Sequence, residues 1–178
     1  ACRPLRSWPM PAPPEPLDDQ ATARADNFRT GFDGRRMREY KGLPIYAAPS
    51  LHEAAAALLD AAVLSGARVL EFGAGSGAMS LRLSDLGFHI TASDLFVESF
   101  KPEHVPFVAA DLNSAFAAQW PQGFDAVIAL EIIEHLENPR QVLRQIRALL
   151  PVGGQLVLST PNIANPVSQA LFLRSGQF

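Results

Sequence analysis

Four acidic residues stand at the ends of apolar stretches: Glu71 after Val69-Leu70, Asp94 after Ile90-Thr91-Ala92-Ser93, Asp111 after Val108-Ala109-Ala110, and Glu131 after Val127-Ile128-Ala129-Leu130. One such acid would be ordinary, since Asp is a common turn residue. Four in register line a single crevice, because an open α/β sheet binds its ligand at the carboxyl ends of its strands. Glu71 leads into Gly73-Ala74-Gly75-Ser76-Gly77. Glycine there lets the backbone turn sharply and approach a ligand closely. The helix that follows points its free N–H groups at whatever occupies the turn. A carboxylate just before the glycines would repel a pyrophosphate but favours a cationic ligand bearing an amino group. Asp94 can accept both hydrogen bonds of a ribose diol, a need shared by nicotinamide and adenosyl cofactors.

These residues need a repeated strand–helix scaffold, and the apolar pattern supplies one. A helix is expected from Ser50 to about Leu64, with an apolar stripe of Leu51, Ala54, Ala55, Leu58, Leu59 and Ala62. The first strand is Arg68–Phe72, and the glycine-turn helix runs from about Ala78 to Leu86. Further strands are expected at Phe88–Ser93, Val105–Ala109, Phe124–Leu130 and Gln155–Ser159. Ser114–Trp120 reads as a short helix stopped by Pro121. Asn138 caps a helix with Pro139 at its first position and Val142, Leu143, Ile146, Leu149 and Leu150 on its buried face. A last helix is expected from about Pro166 to Leu173. The strands are apolar and β-branched, as strands covered on both faces are. With right-handed crossovers they form a doubly wound, mainly parallel α/β sheet.

The stretch Glu71-Phe72-Gly73-Ala74-Gly75-Ser76-Gly77 resembles motif I of the class I S-adenosylmethionine-dependent methyltransferases. The segment from Phe124 through Glu131-Ile132-Ile133-Glu134-His135-Leu136 resembles strand four of the members that modify quinones, sugars and natural products. Leu150-Pro151-Val152-Gly153-Gly154 and Ser159-Thr160-Pro161-Asn162 match the unit that follows. The resemblance covers roughly residues 50–165. It implies a Rossmann-like methyltransferase fold and methyl transfer from S-adenosylmethionine to a small-molecule or glycan acceptor, at oxygen.

By the same resemblance, Gly73, Gly75 and Gly77 surround the cofactor's methionine moiety. Asp94 holds the ribose, Asp111 receives the adenine amino group and Leu112 packs on the adenine. Leu130 and Glu131 border the reactive end, and Ala74 and Leu95 complete the cofactor-binding set. His135 is the candidate catalytic base, its unperturbed pKa being suitable; the bland reading, which is favoured, has it shape the loop after strand four by local hydrogen bonding. Glu131, Glu134 and His135 also resemble part of the metal-binding signature of RNA-end 2′-O-methyltransferases. No second histidine follows the fifth strand, His52, His89 and His104 lie elsewhere, and no metal is expected.

The same residues fit two other readings. Gly73, Gly75 and Ala78 satisfy the relaxed dinucleotide fingerprint, which keeps a nicotinamide-dependent oxidoreductase open. Glu71, Asp111 and the lack of a Tyr-x-x-x-Lys set count against it. A cofactor-binding domain without catalysis is the alternative from outside enzymology.

Hydrophobic residues make up 48% and charged residues 19% of 178 residues, enough for one domain with a real core. A net charge of −3 argues against broad nucleic-acid binding, and the basic cluster Arg35, Arg36, Arg38 and Lys41 reads as a solvated loop. A single cysteine, Cys2, excludes an internal disulfide. No apolar run approaches the ~20 residues of a membrane span, and no basic-then-apolar leader is evident, so a cytoplasmic location is expected. Residues 1–26 form a proline-rich tail, 27–49 an irregular arm or lid, and 50–178 the cofactor domain; Tyr40, Tyr46 and His52 are possible contact residues beside it. The class I sheet normally carries two more strands beside the fifth. Gln155–Ser159 is therefore expected to be an apolar edge, covered by a missing C-terminal segment, a second copy or the N-terminal arm.

Overall fold

The computed structural model describes residues 29–30, 36–120 and 123–162, together with residues 164, 166, 169, 173 and 174. Among the described residues there are eight strands: β1 (Arg29–Thr30), β2 (Arg36–Tyr40), β3 (Leu43–Ile45), β4 (Arg68–Phe72), β5 (His89–Asp94), β6 (Phe107–Ala109), β7 (Ala126–Leu130) and β8 (Gln155–Ser159). The α-helices that lie wholly among the described residues are α1 (Leu51–Ala62), α2 (Ala78–Asp85) and α3 (Pro139–Leu149).

Strands β4 to β8 form one parallel sheet in the order β6-β5-β4-β7-β8. Its order reverses at β4, where the crossover to the right-hand strands leaves a crevice at the strand ends. The two faces are packed separately. Leu59 of α1 and Met79 and Leu83 of α2 cover one face with Val69, Ile90 and Ile128. Val142, Ile146 and Leu149 of α3 cover the other with Leu70, Phe72 and Val127. Side chains alternate across a strand, so Glu71 falls on the Val69 side, beneath α2. On the α3 side, Phe72, Phe116 and Trp120 make three edge-on ring contacts at 5.2–6.0 Å. Asn138 caps α3 as expected, its side chain accepting from the Gln141 N–H at 3.1 Å.

Several expectations change in three dimensions. The segment before α1 is not an irregular arm: β1, β2 and β3 form an antiparallel sheet. Its β2–β3 turn is Lys41-Gly42, both in the left-handed region (φ 48° and 83°), the geometry that matches hairpin twist. The signal was hidden because lysine, unlike Asn or Asp, rarely accepts that conformation. Of the basic residues nearby, Arg38 and Lys41 are not a solvated loop either, while Arg35 lies outside the described residues. Lys41 pairs with Asp85 at 2.6 Å, and Arg38 and Arg82 both reach Glu53, at 3.7 and 2.7 Å. The Tyr40 hydroxyl donates to Asp85 at 2.7 Å while the Arg82 guanidinium lies 4.2 Å from its ring centre. The hairpin is thereby clamped onto α1 and α2.

The buried face of α1 is His52, Ala55, Ala56 and Leu59, whereas Leu58 is 60% exposed. Small residues on that face let the helix approach the sheet closely, and this decides its rotation over a wider leucine stripe. Ser114–Trp120 forms only a 3₁₀ turn at Ala117–Gln119. Among the described residues β8 pairs with β7 alone, and Leu156 and Leu158 are exposed, so the apolar edge is present. The expected helix from Pro166 to Leu173 and the 1–26 tail lie largely or wholly outside the described residues. No described helix is long and apolar enough to cross a membrane.

Candidate active site

The glycine turn after β4 is built from conformations that only glycine takes cheaply. Gly73, Gly75 and Gly77 all have positive φ (73°, 51° and 86°). They differ in what surrounds them. A Cβ on Gly73 would lie 2.3 Å from Ile132 Cγ2, and one on Gly77 2.4 Å from Pro102 Cδ. At Gly75 the nearest atom would be a Tyr46 ring carbon at 3.7 Å, an ordinary contact, so a Cβ fits there without a clash.

The turn is tied to the end of β5. Asp94 accepts from the Gly75 N–H at 2.8 Å with one carboxylate oxygen and from the Phe96 N–H at 3.0 Å with the other. The Gly73 and Ala74 N–H groups donate to the Ser93 carbonyl at 2.9 and 3.1 Å. Ser93 itself is buried, and its hydroxyl has no partner.

Two cavities open on this turn and share Phe72, Gly73, Asp94, Ile132 and His135. The smaller, about 310 Å³, is lined by Leu95, Phe96, Asp111, Leu112 and Asn113 among others. Asp111 accepts from the Asn113 N–H at 2.9 Å, which fixes its carboxylate in the loop after β6. The larger, about 490 Å³, is lined by Glu71, Gly75, Leu130, Glu131, Glu134 and Pro161. Pro44 of β3, Tyr46 and Ala47 of the loop after it and His52 of α1 also line it.

Glu71 is almost wholly buried and accepts a short hydrogen bond from the Ser80 hydroxyl on α2. Burial pushes its carboxyl up to about 8; the Ser80 bond opposes this and the nearby Asp94 charge adds to it. Glu131 occupies a left-handed conformation (φ 53°), a strained one for a non-glycine residue. Ser159 holds it there, accepting from its N–H at 3.1 Å and donating to its carboxylate at 3.0 Å.

His135 ends a 3₁₀ turn, Ile133–His135, and is exposed at the junction of the cavities. Its backbone N–H donates to the Ile132 carbonyl, but its imidazole makes no hydrogen bond among the described residues, so local bonding by the ring does not shape this loop. Glu131, Glu134 and His135 do not converge as a three-ligand metal set among the described residues.

The structure therefore brings together the sequence-selected Glu71, Gly73, Ala74, Gly75, Asp94, Leu95, Asp111, Leu112, Leu130, Glu131 and His135 around two joined cavities. Gly77 shapes the turn without lining either. Of the three contact candidates before the core, Tyr46 and His52 line the larger cavity and Tyr40 does not. Ser80 and Ile132 are additions, and their roles depend on packing across elements that no local motif encodes.

A parallel α/β sheet with a glycine turn at its switch point and acids at successive strand ends defines a cofactor-dependent α/β enzyme domain. The methyltransferase-domain family matches residues 45–174, well over half of the chain. The chain belongs to that family. It is 34% identical over 123 residues to a ubiquinone biosynthesis O-methyltransferase of Xanthomonas campestris pv. campestris, covering 65% of this chain and 51% of that protein. A protein of the same description from Xanthomonas oryzae pv. oryzae is 33% identical with the same coverage. The chain thus spans about half the length of these curated relatives.

Solved structures share the fold. The YcgJ protein of Bacillus subtilis superposes with a TM-score of 0.54 at 22% identity, covering 67% of this chain and 56% of that one. The glycopeptide N-methyltransferase MtfA, complexed with (S)-adenosyl-L-methionine, gives 0.51 at 22% identity, covering 64% and 55%.

Proposed function

We propose that the protein transfers a methyl group from S-adenosylmethionine to an oxygen of a small-molecule acceptor. The observation that carries this reading is the pair of joined cavities at the glycine turn, one suited to a nucleoside and the other to a reacting end. The residues fit the cofactor. The Ser93 hydroxyl is a buried orphan beside the smaller cavity, Gly75 lines the larger one, and Glu71 is a buried acid with no cation beside it among the described residues to hold its charge.

Asp111 and Leu112 would receive the adenine, with Leu95 on its other side. Asp94 would hold the ribose with the lone pairs left free by its two backbone bonds. Gly73, Ala74 and Gly75 would border the methionine end, and Glu71 would face its ammonium group. The bound cofactor supplies an electrophilic methyl on a sulfonium sulfur. The protein's task is then alignment and exclusion of water. Leu130, Glu131 and Ile132 wall the reactive end, and His135 stands where it can take an acceptor proton. Oxygen as the acceptor atom and a small molecule as substrate are supported by the curated relatives, both named for O-methylation in ubiquinone biosynthesis.

Incubation with S-adenosylmethionine and a panel of phenols, catechols and sugars tests this, with S-adenosylhomocysteine release as the readout. Hydroxylated acceptors are expected to raise release above background. Tight S-adenosylmethionine binding without turnover on any hydroxyl, or turnover only on amines, would refute oxygen transfer.

A further inference from the structure

We propose that a third cavity, at the opening ends of β4 and β5 and away from the glycine turn, binds an aromatic carboxylate. It measures about 480 Å³ and shares no lining residue with the two cavities at the turn. Its ligand is therefore not the cofactor.

The cavity goes with how the sheet is covered. A parallel sheet is normally packed on both faces. α3 supplies that cover on one face through Val142, Ile146 and Leu149. Towards β6, where Val108 packs on the same cluster, the segment expected to be a full helix gives only the 3₁₀ turn Ala117–Gln119. A three-residue turn covers less sheet than a helix, and the space beside Trp120 and Phe124 stays open.

The lining gives the cavity a sign. β4 and β5 pair with Arg68 opposite His89, so these side chains stand on one face of neighbouring strands, roughly 5 Å apart at the backbone. Thr91, two residues on, shares that face and lines the same cavity. His104, from the loop before β6, adds a second imidazole. Among the described residues no Asp or Glu lines the cavity, in a chain whose net charge is −3. Asp125 is engaged elsewhere, accepting from the Arg68 backbone N–H at 2.8 Å, and no carboxylate pairs with the Arg68 guanidinium among the described residues.

That guanidinium is also held in place. It lies 5.9 Å from the centre of the Phe124 ring. One of its nitrogens fills the space beside Gly123, where a Cβ would meet it at 2.4 Å. A fork fixed by packing loses less freedom when it binds.

The rest of the lining selects the ligand's body. Phe88, Val105, Pro106 and Trp120 offer apolar surface around a few polar groups, the usual make-up of a small-molecule site. A planar guanidinium matches a carboxylate with two parallel N–H bonds, and an imidazole can add another. One fixed cation balances one negative charge, whereas a phosphate dianion would leave oxygens against hydrocarbon. An aromatic ring system suits the apolar remainder.

Titration calorimetry on the full chain with 1-naphthoate tests this, with 1-naphthamide as a neutral ligand of the same shape. Wild type is expected to bind the acid about tenfold more tightly than the amide. Arg68→Gln should remove that preference, weakening the acid about tenfold and leaving the amide within about twofold. Arg68→Lys, which keeps the charge but not the fork, should recover part of the loss. Saturating S-adenosylhomocysteine should leave the affinity for 1-naphthoate within about twofold, because the cavities are separate. No binding of 1-naphthoate below about 1 mM, or equal affinity for acid and amide, would overturn the proposal without any variant having to fold. So would a preference that survives Arg68→Gln, or displacement of 1-naphthoate by S-adenosylhomocysteine. A chain that binds 1-naphthoate through Arg68 but does not bind S-adenosylhomocysteine would refute the cofactor reading and leave this site standing.

Discussion

The Gly75 N–H donates to the Asp94 carboxylate across 2.8 Å, joining the glycine turn after β4 to the end of β5. The acid expected to hold a ribose therefore also holds the backbone of the glycine turn. Binding and local folding are coupled at this residue.

Asp94→Ala is accordingly expected to act on both. Loss of charge-assisted hydrogen bonds worth ~1.5–3 kcal/mol should weaken S-adenosylhomocysteine by roughly ten- to a hundredfold. The Gly75 and Phe96 amides lose their acceptor too, so the melting temperature should fall. Asp94→Asn keeps an oxygen acceptor and should recover more stability than affinity. Calorimetry and thermal melts on both variants give the comparison, and unchanged affinity in Asp94→Ala would remove the residue from the site.

The three motif glycines should fail differently when changed to alanine. Gly73→Ala places a Cβ 2.3 Å from Ile132, and Gly77→Ala places one 2.4 Å from Pro102. Both add backbone strain to a clash and should destabilise the fold by roughly 1–3 kcal/mol. Gly75→Ala meets nothing closer than 3.7 Å, so it should remain folded while losing cofactor affinity. Gly75→Val, with more volume in the same space, should abolish binding. A Gly75→Ala protein with wild-type affinity would show that the turn is not in contact with the ligand.

Glu71 should give the ligand-free protein a pH-dependent stability. Its carboxyl titrates near 8 when folded and near 4.5 in the free state. Between those values the folded chain holds the extra proton, so stability falls as pH rises from 4.5 to 8. Glu71→Gln cannot ionise and should flatten that slope. It should exceed wild type at pH 8.5 by about 1–4 kcal/mol while matching it near pH 4. Denaturant melts across this range provide the check, and parallel curves for the two proteins would contradict it.

His52 should act on the acid side. Burial and Arg82 lower its folded value to about 4, against 6.5 in the free state. The unfolded chain then takes the proton first, so this contribution is complete above 6.5 and is lost as pH falls towards 4. In the same melts, His52→Asn should lose less stability than wild type between pH 6.5 and 4.

His135→Ala should leave cofactor affinity within about threefold. Its imidazole has no hydrogen bond among the described residues, so melting temperature should change little. If it serves as the base, turnover should fall by roughly 10²–10⁴ and the acidic limb of the pH–rate profile should disappear. Retained turnover would return His135 to the surface of the loop.

The sequence alone determined the order and kind of the parallel-sheet elements. Apolar β-branched runs bounded by glycine, proline and acids are local signals, and each is complete within a few residues. That is why Glu71, Asp94, Asp111 and Glu131 could be placed at strand ends, and why the Asn138 cap was legible. The tertiary structure decided what those side chains meet. Strand alternation sends Glu71 under α2 to Ser80, so an acid expected at the mouth of a crevice is buried and protonated near neutral pH. The strain at Glu131 comes from Ser159 on a neighbouring strand. His52 turns inward because small residues, not the leucine stripe, set the rotation of α1 against the sheet. The β2–β3 hairpin depends on a lysine in a conformation it seldom takes, held by contacts to Asp85 across the molecule. Contacts between residues distant in sequence fix burial, strain and charge, and a pattern read along the chain carries none of them.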